Sequence, residues 1–225
     1  MINFTGRHFP KDVILCCVRW YIAYPLSYRN LEEIMEERGI AVDHSTVNRW
    51  VKHYSPQLEE AFHAKKKKVM GRWRMDETYL KLKGEWMYLY RAVDKKGRSV
   101  DFFLSKKRDK IAAKRFFKKA IKRNGKPSLI NIDKSGTNKA GIQCVNQENN
   151  TRIKIRQCKY LNNVVEQDHR RIKRIRKPMM GFKNFEFASA TIAGVELMAM
   201  LKKGQQRYSN RSSLSAAEQF YALAS

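Results

Sequence analysis

Apolar residues recur at helical spacing in three successive stretches near the start of the chain. The first stretch begins after Pro10, whose missing N–H is harmless at the first position of a helix, and ends before Pro25. The second follows Ser27, a favourable N-cap residue. The third follows the potential cap residues 43–45 and is predicted over residues 46–54. The pattern therefore predicts three short helices joined by tight connections.

The third predicted helix has one apolar side and one polar side. Val47, Trp50, Val51 and Tyr54 fall at positions i, i+3, i+4 and i+7, so we expect them to face inward. The outward side chains can read base edges or hold phosphates, and they are Thr46, Asn48, Arg49, Lys52 and His53. This arrangement is typical of a helix-turn-helix. The alternative is a small helical bundle with no role in DNA binding.

From residue 72 the apolar period changes to that of strands. Three strand-like stretches, residues 72–82, 85–94 and 99–105, are separated by the turn signals at residues 83–84 and 95–97, which predicts an antiparallel meander. Alternating helices and strands follow, over residues 109–123 (helix), 127–133 (strand), 137–148 (weak helix), 151–157 (strand) and 160–177 (helix). A meander followed by α/β alternation predicts an α/β fold with a mixed five-stranded sheet flanked by helices.

These changes of pattern predict four segments. They are an all-α helix-turn-helix domain (residues 1–64), a basic linker (65–71) around four consecutive lysines, an α/β domain (72–204) and a polar tail (205–225). A last helix over residues 184–203 is expected to pack on the sheet or on a second subunit. The tail is expected to be partly ordered.

The composition indicates the kind of partner and the cellular compartment. A formal net charge of +26 favours a polyanion, above all nucleic acid, although a merely basic solvated surface is the alternative. No apolar run is long enough for a membrane span and no signal-peptide pattern is present. The four cysteines lack disulfide or zinc spacing. We therefore expect a cytoplasmic, nucleoid-associated protein with buried, reduced thiols.

Three acids stand out because of their positions in the predicted elements. Asp76 lies inside the first strand, where Asp is disfavoured, Asp133 ends the fourth strand, and Glu166 lies in the helix after the fifth. In a mixed sheet the first and fourth strands can be neighbours. Three carboxylates around one point require a cation, and oxygen ligands suit Mg²⁺ or Mn²⁺. Two such ions about 3.5–4 Å apart can catalyse phosphoryl transfer.

Neighbouring residues receive other roles. Glu77 should point to the opposite face of the strand from Asp76, so a salt bridge is the better reading than a metal ligand. Trp73 and Trp86 are expected to be packing residues rather than platforms for stacking bases.

The helix that carries Glu166 has two further acid–base residues and a cationic side. Asp168 is expected to be structural, and His169 is either structural or a support for the metal ligands. Phosphates could bind along the stripe formed by Arg170, Lys173 and Lys177.

The motifs around the three acids carry a resemblance to a known family. The chain from residue 72 to 205 resembles the integrase-core DDE transposases of bacterial insertion sequences, and insertion sequence family six in particular. The motifs are residues 73–79, 132–134, 159–169, 181–183 and 190–194. The interval from Asp133 to Glu166 is slightly shorter than the family pattern, and the shortening is assigned to a loop over residues 144–151.

This resemblance implies a fold and an activity. The fold would be ribonuclease-H-like. Asp76, Asp133 and Glu166 would be the catalytic metal ligands, with no organic cofactor, and Lys173 would contact the element end. The protein would act as a homodimer or larger assembly on double-stranded DNA, both element ends and target, by attack of a 3′-hydroxyl on a phosphodiester. An inactive DNA-binding relative and a nuclease of the same fold are the alternatives.

Overall fold

The computed structural model describes residues 2–158, 165, 182, 184–207 and 214–224. The chain packs as two compact units. The helical unit combines Met1–Lys67 with Ile172–Ser225, and the sheet unit is Lys68–Arg171. The two ends of the chain therefore belong to one unit, and the sheet unit lies between them in sequence.

Three helices open the helical unit, as the apolar pattern predicts. They are α1 (Lys11–Ala23), α2 (Tyr28–Glu36) and α3 (His44–Ala64). Ser27 caps α2 by accepting the N–H of Asn30, and the Asp43 side chain accepts the N–H of Ser45 at the start of α3. The four apolar residues predicted to face inward from α3 are all buried.

Helix α3 continues well beyond the predicted end at residue 54, although Pro56 lies inside it. A proline in a helix interior removes one backbone hydrogen bond and costs roughly 3 kcal/mol. Leu58 and Phe62 extend the apolar face of α3 and are completely buried. Burial of these two side chains offsets the local cost, which is why the helix reaches Ala64.

The predicted C-terminal helix forms, and its main packing partners belong to the helical unit. Helix α6 (Phe185–Lys202) packs on α3 and α1. A Cβ atom added to Gly194 would lie 2.5 Å from Ile22 and 3.0 Å from Ser55, so glycine permits this close approach. Helical periodicity identified the element and could not identify its neighbour.

The predicted linker and tail are also more structured than their composition indicates. Lys66 is buried and pairs with Gln206 in an isolated β-bridge, and the N–H of Lys67 donates to Gln205. A short helix α7 (Ala216–Tyr221) packs on α6 and α1, and its Phe220 is completely buried. The expected polar tail thus contributes to the core of the helical unit.

The sheet unit has the predicted meander and the predicted α/β alternation. Its strands are β1 (Arg72–Leu82), β2 (Glu85–Asp94), β3 (Ser99–Ser105), β4 (Leu129–Ile132) and β5 (Lys154–Gln157). Their order is β3-β2-β1-β4-β5, with the first three antiparallel and β1, β4 and β5 parallel. This mixed five-stranded sheet flanked by helices has the ribonuclease-H-like architecture that the resemblance implies.

Two helices cover one face of this sheet and enclose its core. They are α4 (Lys110–Asn124) and α5 (Gly136–Glu148), and they bury Trp73, Met75 and Ile130 among others. A Cβ atom on Gly141 of α5 would lie 2.7 Å from that of Ala113 in α4, so the two helices meet at this glycine. Much of the segment expected to be a shortened loop, residues 144–151, is the last part of α5.

Two expectations from composition, about the cysteines and about membrane spans, can be compared with the structure. All four cysteines are free, but only Cys17 is buried and the other three are half-buried, which corrects the expectation of four buried thiols. Burial raises the pKa of Cys17 to about 12. Of the helices in the described ranges, none has the length and hydropathy to cross a membrane.

Candidate active site

The parallel pairing of β1 with β4 brings two of the predicted acids together. Arg72, Trp73 and Arg74 are in register with Leu129, Ile130 and Asn131. Continuing this register by two residues sets Asp76 level with Asp133, which directly follows β4. Side chains at one level of neighbouring parallel strands share a face of the sheet, and the strands lie about 4.8 Å apart.

Both acids are half-buried, so their carboxylates are accessible from solvent. Asp133 accepts the N–H of Ser135 at 3.2 Å, and the Ser135 hydroxyl in turn caps α5 by accepting the N–H of Asn138. Asp133 therefore lies just before the N-terminus of α5, where the helix dipole favours a negative charge.

A buried cation lies on the other side of Asp76. Arg91 of β2 is the residue directly opposite Asp76 in the antiparallel β1–β2 pair, and it is almost completely buried. Side chains in such a pair have Cβ atoms about 4.5–5.5 Å apart on one face of the sheet. A guanidinium at this register position is of the right charge to stabilise a negative charge at the position of Asp76.

Glu77 points to the opposite face of β1, and the predicted salt bridge is confirmed. Its carboxylate accepts from Nε of Arg108 at 2.5 Å and from Nδ2 of Asn138 at 2.5 Å. Burial opposes the charge of Arg108, but the hydrogen bond and charge of Glu77, with Tyr79 and Asp133, raise its pKa above the ordinary arginine value. Glu77 therefore links the end of β1 to the start of α5.

The third predicted acid, Glu166, lies outside the residues that the structure describes. The same is true of Asp168 and His169 and of the predicted phosphate-binding residues Arg170, Lys173 and Lys177. Their roles stay predictions from the sequence.

The polar side of α3 is partly exposed and partly engaged. Arg49 and His53 are exposed, and Arg49 donates to the Thr46 hydroxyl at 2.7 Å. Lys52 is exposed but forms an ion pair with Glu186 of α6 at 2.7 Å. Asn48 is half-buried, and its Oδ1 atom is among the buried atoms.

A cavity of about 560 Å³ lies between this side of α3 and the N-terminal residues. Arg7 and His8 line it together with Arg49 and His53, and Nη2 of Arg7 lies 3.4 Å from Nε2 of His53. Burial and the charge of Arg7 lower the pKa of His53. The sequence gave no signal for Arg7 or His8, since no regular element contains them.

The two tryptophans of the sheet unit differ in burial. Trp73 is buried, as expected, and its Nε1 donates to the carbonyl of Met70 at 2.9 Å. Trp86 is 54% exposed, so the prediction of a packing residue is wrong for it. It lies near the β1–β2 turn, where the strands extend past the helices that cover the rest of this face.

The chain is similar to known transposases. A family model for a transposase DDE domain of the IS240 type matches residues 70–205. The transposase of the insertion sequence-like element IS431mec from Staphylococcus aureus is 42% identical over 212 residues, which are 92% of each chain. The S. aureus transposase of insertion sequence element IS257 in transposon Tn4003 has the same identity and coverage.

Among solved structures, the HTLV-2 integrase catalytic core domain in its trimeric form is 21% identical. It has a TM-score of 0.46 and covers 67% of this chain and 96% of its own. The intasome of simian T-cell lymphotropic virus matches with 14% identity, a TM-score of 0.42 and coverage of 91% of this chain and 74% of its own.

The chain is a DDE transposase, an enzyme that transfers polynucleotide strands. Within that class it belongs to insertion sequence family six. Membership of the class implies that DNA is its partner and that it uses a divalent metal ion.

Proposed function

We propose that this transposase binds the terminal inverted repeats of its own element, cleaves DNA at their ends and joins the freed 3′-hydroxyl to target DNA. The observation that supports the proposal is the β1–β4 register, which pairs Arg74 with Asn131 and, continued by two residues, would make Asp76 and Asp133 neighbours on one face. Two neighbouring half-exposed carboxylates repel each other unless a cation lies between them.

Asp76, Asp133 and Glu166 would hold Mg²⁺ or Mn²⁺. The donor set fits these ions because it consists of carboxylate oxygens, which hard divalent cations prefer. What the bound ions supply is activation of the attacking oxygen and stabilisation of the leaving oxygen in phosphoryl transfer. Arg91 would hold Asp76 ionised, and the ion pair of Glu77 with Arg108 would keep the ends of β1 and β4 in place.

Recognition of double-stranded DNA would belong to the helical unit. The exposed side chains of Arg49 and His53 and the half-buried Thr46 would reach base edges, and the cavity beside them adds Arg7 and His8. Asn48 would contribute its amide nitrogen, and Lys52 would have to exchange Glu186 for a phosphate. Arg170, Lys173 and Lys177 would hold phosphates next to Glu166.

The protein would act as a homodimer or larger assembly in the bacterial cytoplasm, because two element ends must be joined to one target. Strand transfer by the purified protein on a labelled terminal repeat, with and without Mg²⁺, tests the proposal. Joined products that require the ion support it. End binding without any reaction would make the chain an inactive relative, and hydrolysis without joining would make it a nuclease.

A further inference from the structure

Three aromatic rings and two cations form an ordered cluster on the β1–β2 hairpin, which we call the aromatic ladder. It consists of Tyr79, Tyr88, Trp86, Lys81 and Arg108. The strand register pairs Tyr79 with Tyr88 and Lys81 with Trp86, so these four side chains share one face. The ring centroid of Tyr79 lies 5.4 Å from that of Tyr88 and 6.1 Å from that of Trp86.

Two of the three rings of the ladder are exposed, and the third, Tyr88, is half-buried against the core of the sheet unit. Trp86 is 54% exposed and Tyr79 is 45% exposed. Single exposed apolar residues are ordinary on protein surfaces, but contiguous ones mark a binding site. The hairpin that carries them closes in a tight two-residue turn, since Lys83 and Gly84 both have positive φ, as a type I′ turn requires.

Cations on and around the rings select the kind of ligand. Nζ of Lys81 lies 5.6 Å from the ring centroid of Trp86, and Cζ of Arg108 lies 5.8 Å from that of Tyr79. The β2–β3 register sets Ser105 beside Tyr88, so the exposed Lys106 and Lys107 follow at this end of the sheet. A ligand that suits both features is anionic and has flat aromatic faces.

Unpaired nucleotides have both properties, since their bases stack on aromatic side chains while lysine and arginine hold the phosphates. Duplex DNA does not, because its bases are already stacked on one another. Strand alternation places the ladder on the sheet face of Glu77, opposite to that of Asp76. Arg108 joins the ladder to Glu77 through the Arg108–Glu77 ion pair.

We infer that the aromatic ladder binds unpaired nucleotides of the DNA substrate. This inference rests on the proposed function, because it takes DNA as the substrate. It assigns to Trp86 and Tyr79 a role in holding single strands that is separate from the reading of duplex ends by α3.

The test measures the affinity of the full chain for a fluorescent oligothymidine of about ten nucleotides and for a fully paired duplex. Trp86→Ala and Tyr79→Ala should each weaken single-strand binding roughly 5- to 100-fold and leave duplex binding unchanged. Trp86→Phe, which keeps a ring, should retain most of the affinity. Ile111→Ala is the matched control, because Ile111 is a 60% exposed apolar residue of the same unit outside the ladder.

A second measurement keeps the inference testable if an alanine variant folds poorly. Oligothymidine should quench the tryptophan fluorescence of the wild type, and Trp86→Phe should remove most of that quenching. Unchanged single-strand affinity in both alanine variants would overturn the inference and leave the proposed function standing. So would variants that change only the sedimentation of the protein, which would make the ladder a contact between copies. Wild-type protein that binds neither DNA form would refute the proposed function itself.

Discussion

The two units place their charged residues in opposite ways. In the sheet unit, Asp94 and Glu77 are each held by several donors, whereas Asp76, inside β1, and Asp133, directly after β4, are half-buried. In the helical unit, cationic and polar side chains line the outward side of α3 beside a cavity. Under the proposed function, metal-dependent chemistry and DNA recognition would reside in separately packed parts of one chain.

Substitution of the three predicted acids should have the largest effect on strand transfer and should leave DNA binding by the helical unit intact. Asp76→Asn, Asp133→Asn and Glu166→Gln should each lower strand transfer roughly a thousandfold or more, since metal ligation supplies several kcal/mol of transition-state stabilisation. Binding of the terminal repeat, measured by anisotropy, should persist because α3 is untouched. Normal joining by any one variant would remove that acid from the assignment.

Glu77→Gln should have the next largest effect. The variant loses the charge that pairs with Arg108, so the ligands at the ends of β1 and β4 are held less firmly, and we expect roughly a 10- to 100-fold loss of strand transfer. More Mg²⁺ should be needed for half-maximal rate, which a purely structural defect would not produce. Glu85→Gln, an exposed acid of the same hairpin, serves as the control. An unchanged Mg²⁺ requirement would contradict the role.

Arg49→Ala tests the recognition side of the comparison. Loss of one base-reading arginine should weaken binding to the terminal repeat by about 1–3 kcal/mol and lower the preference over random DNA. Arg115→Ala changes an equally exposed arginine of α4 and should leave that preference unchanged. Equal discrimination by the two variants, in competition assays at fixed salt, would show that Arg49 does not read the end.

Asp94 distinguishes a structural acid from a catalytic one. It is fully buried in the β2–β3 turn and accepts from the N–H groups of Met70, Lys96 and Arg98 and from the Arg98 side chain. Burial opposes its charge, but these donors outweigh that effect and lower the pKa of Asp94. Asp94→Asn should therefore reduce the free energy of unfolding by about 1–2 kcal/mol at neutral pH.

The pH dependence of that loss has a definite sign. Because the pKa of Asp94 is lower in the folded state than in the unfolded state, where it is about 3.9, the Asp94 carboxylate stabilises the fold at pH values above that of the unfolded pKa. This stabilisation disappears as the pH falls through the pKa of the folded state. The difference in the free energy of unfolding between wild type and Asp94→Asn, measured with urea, should therefore become smaller below about pH 4. A difference that stays constant down to acid pH would show that the charge of Asp94 does not contribute.

Local signals in the sequence determined most of the elements. Apolar periodicity and cap residues located α1, α2 and the start of α3, and turn residues separated β1, β2 and β3, because these preferences act between residues close in the chain. Strand alternation also separated Asp76 from Glu77 correctly. The same signals could not extend α3 past Pro56, since the compensating burial of Leu58 and Phe62 depends on distant partners.

The tertiary structure alone decided which elements meet. Whether Asp76 faces Asp133 depends on the register of two strands far apart in sequence, and no local preference encodes that register. The same limit explains why α6, expected on the sheet or on a second subunit, packs on α3, and why Trp86, expected to be a packing residue, is exposed. The burial of a side chain depends on which elements pack around it, and that packing is established only when the chain folds.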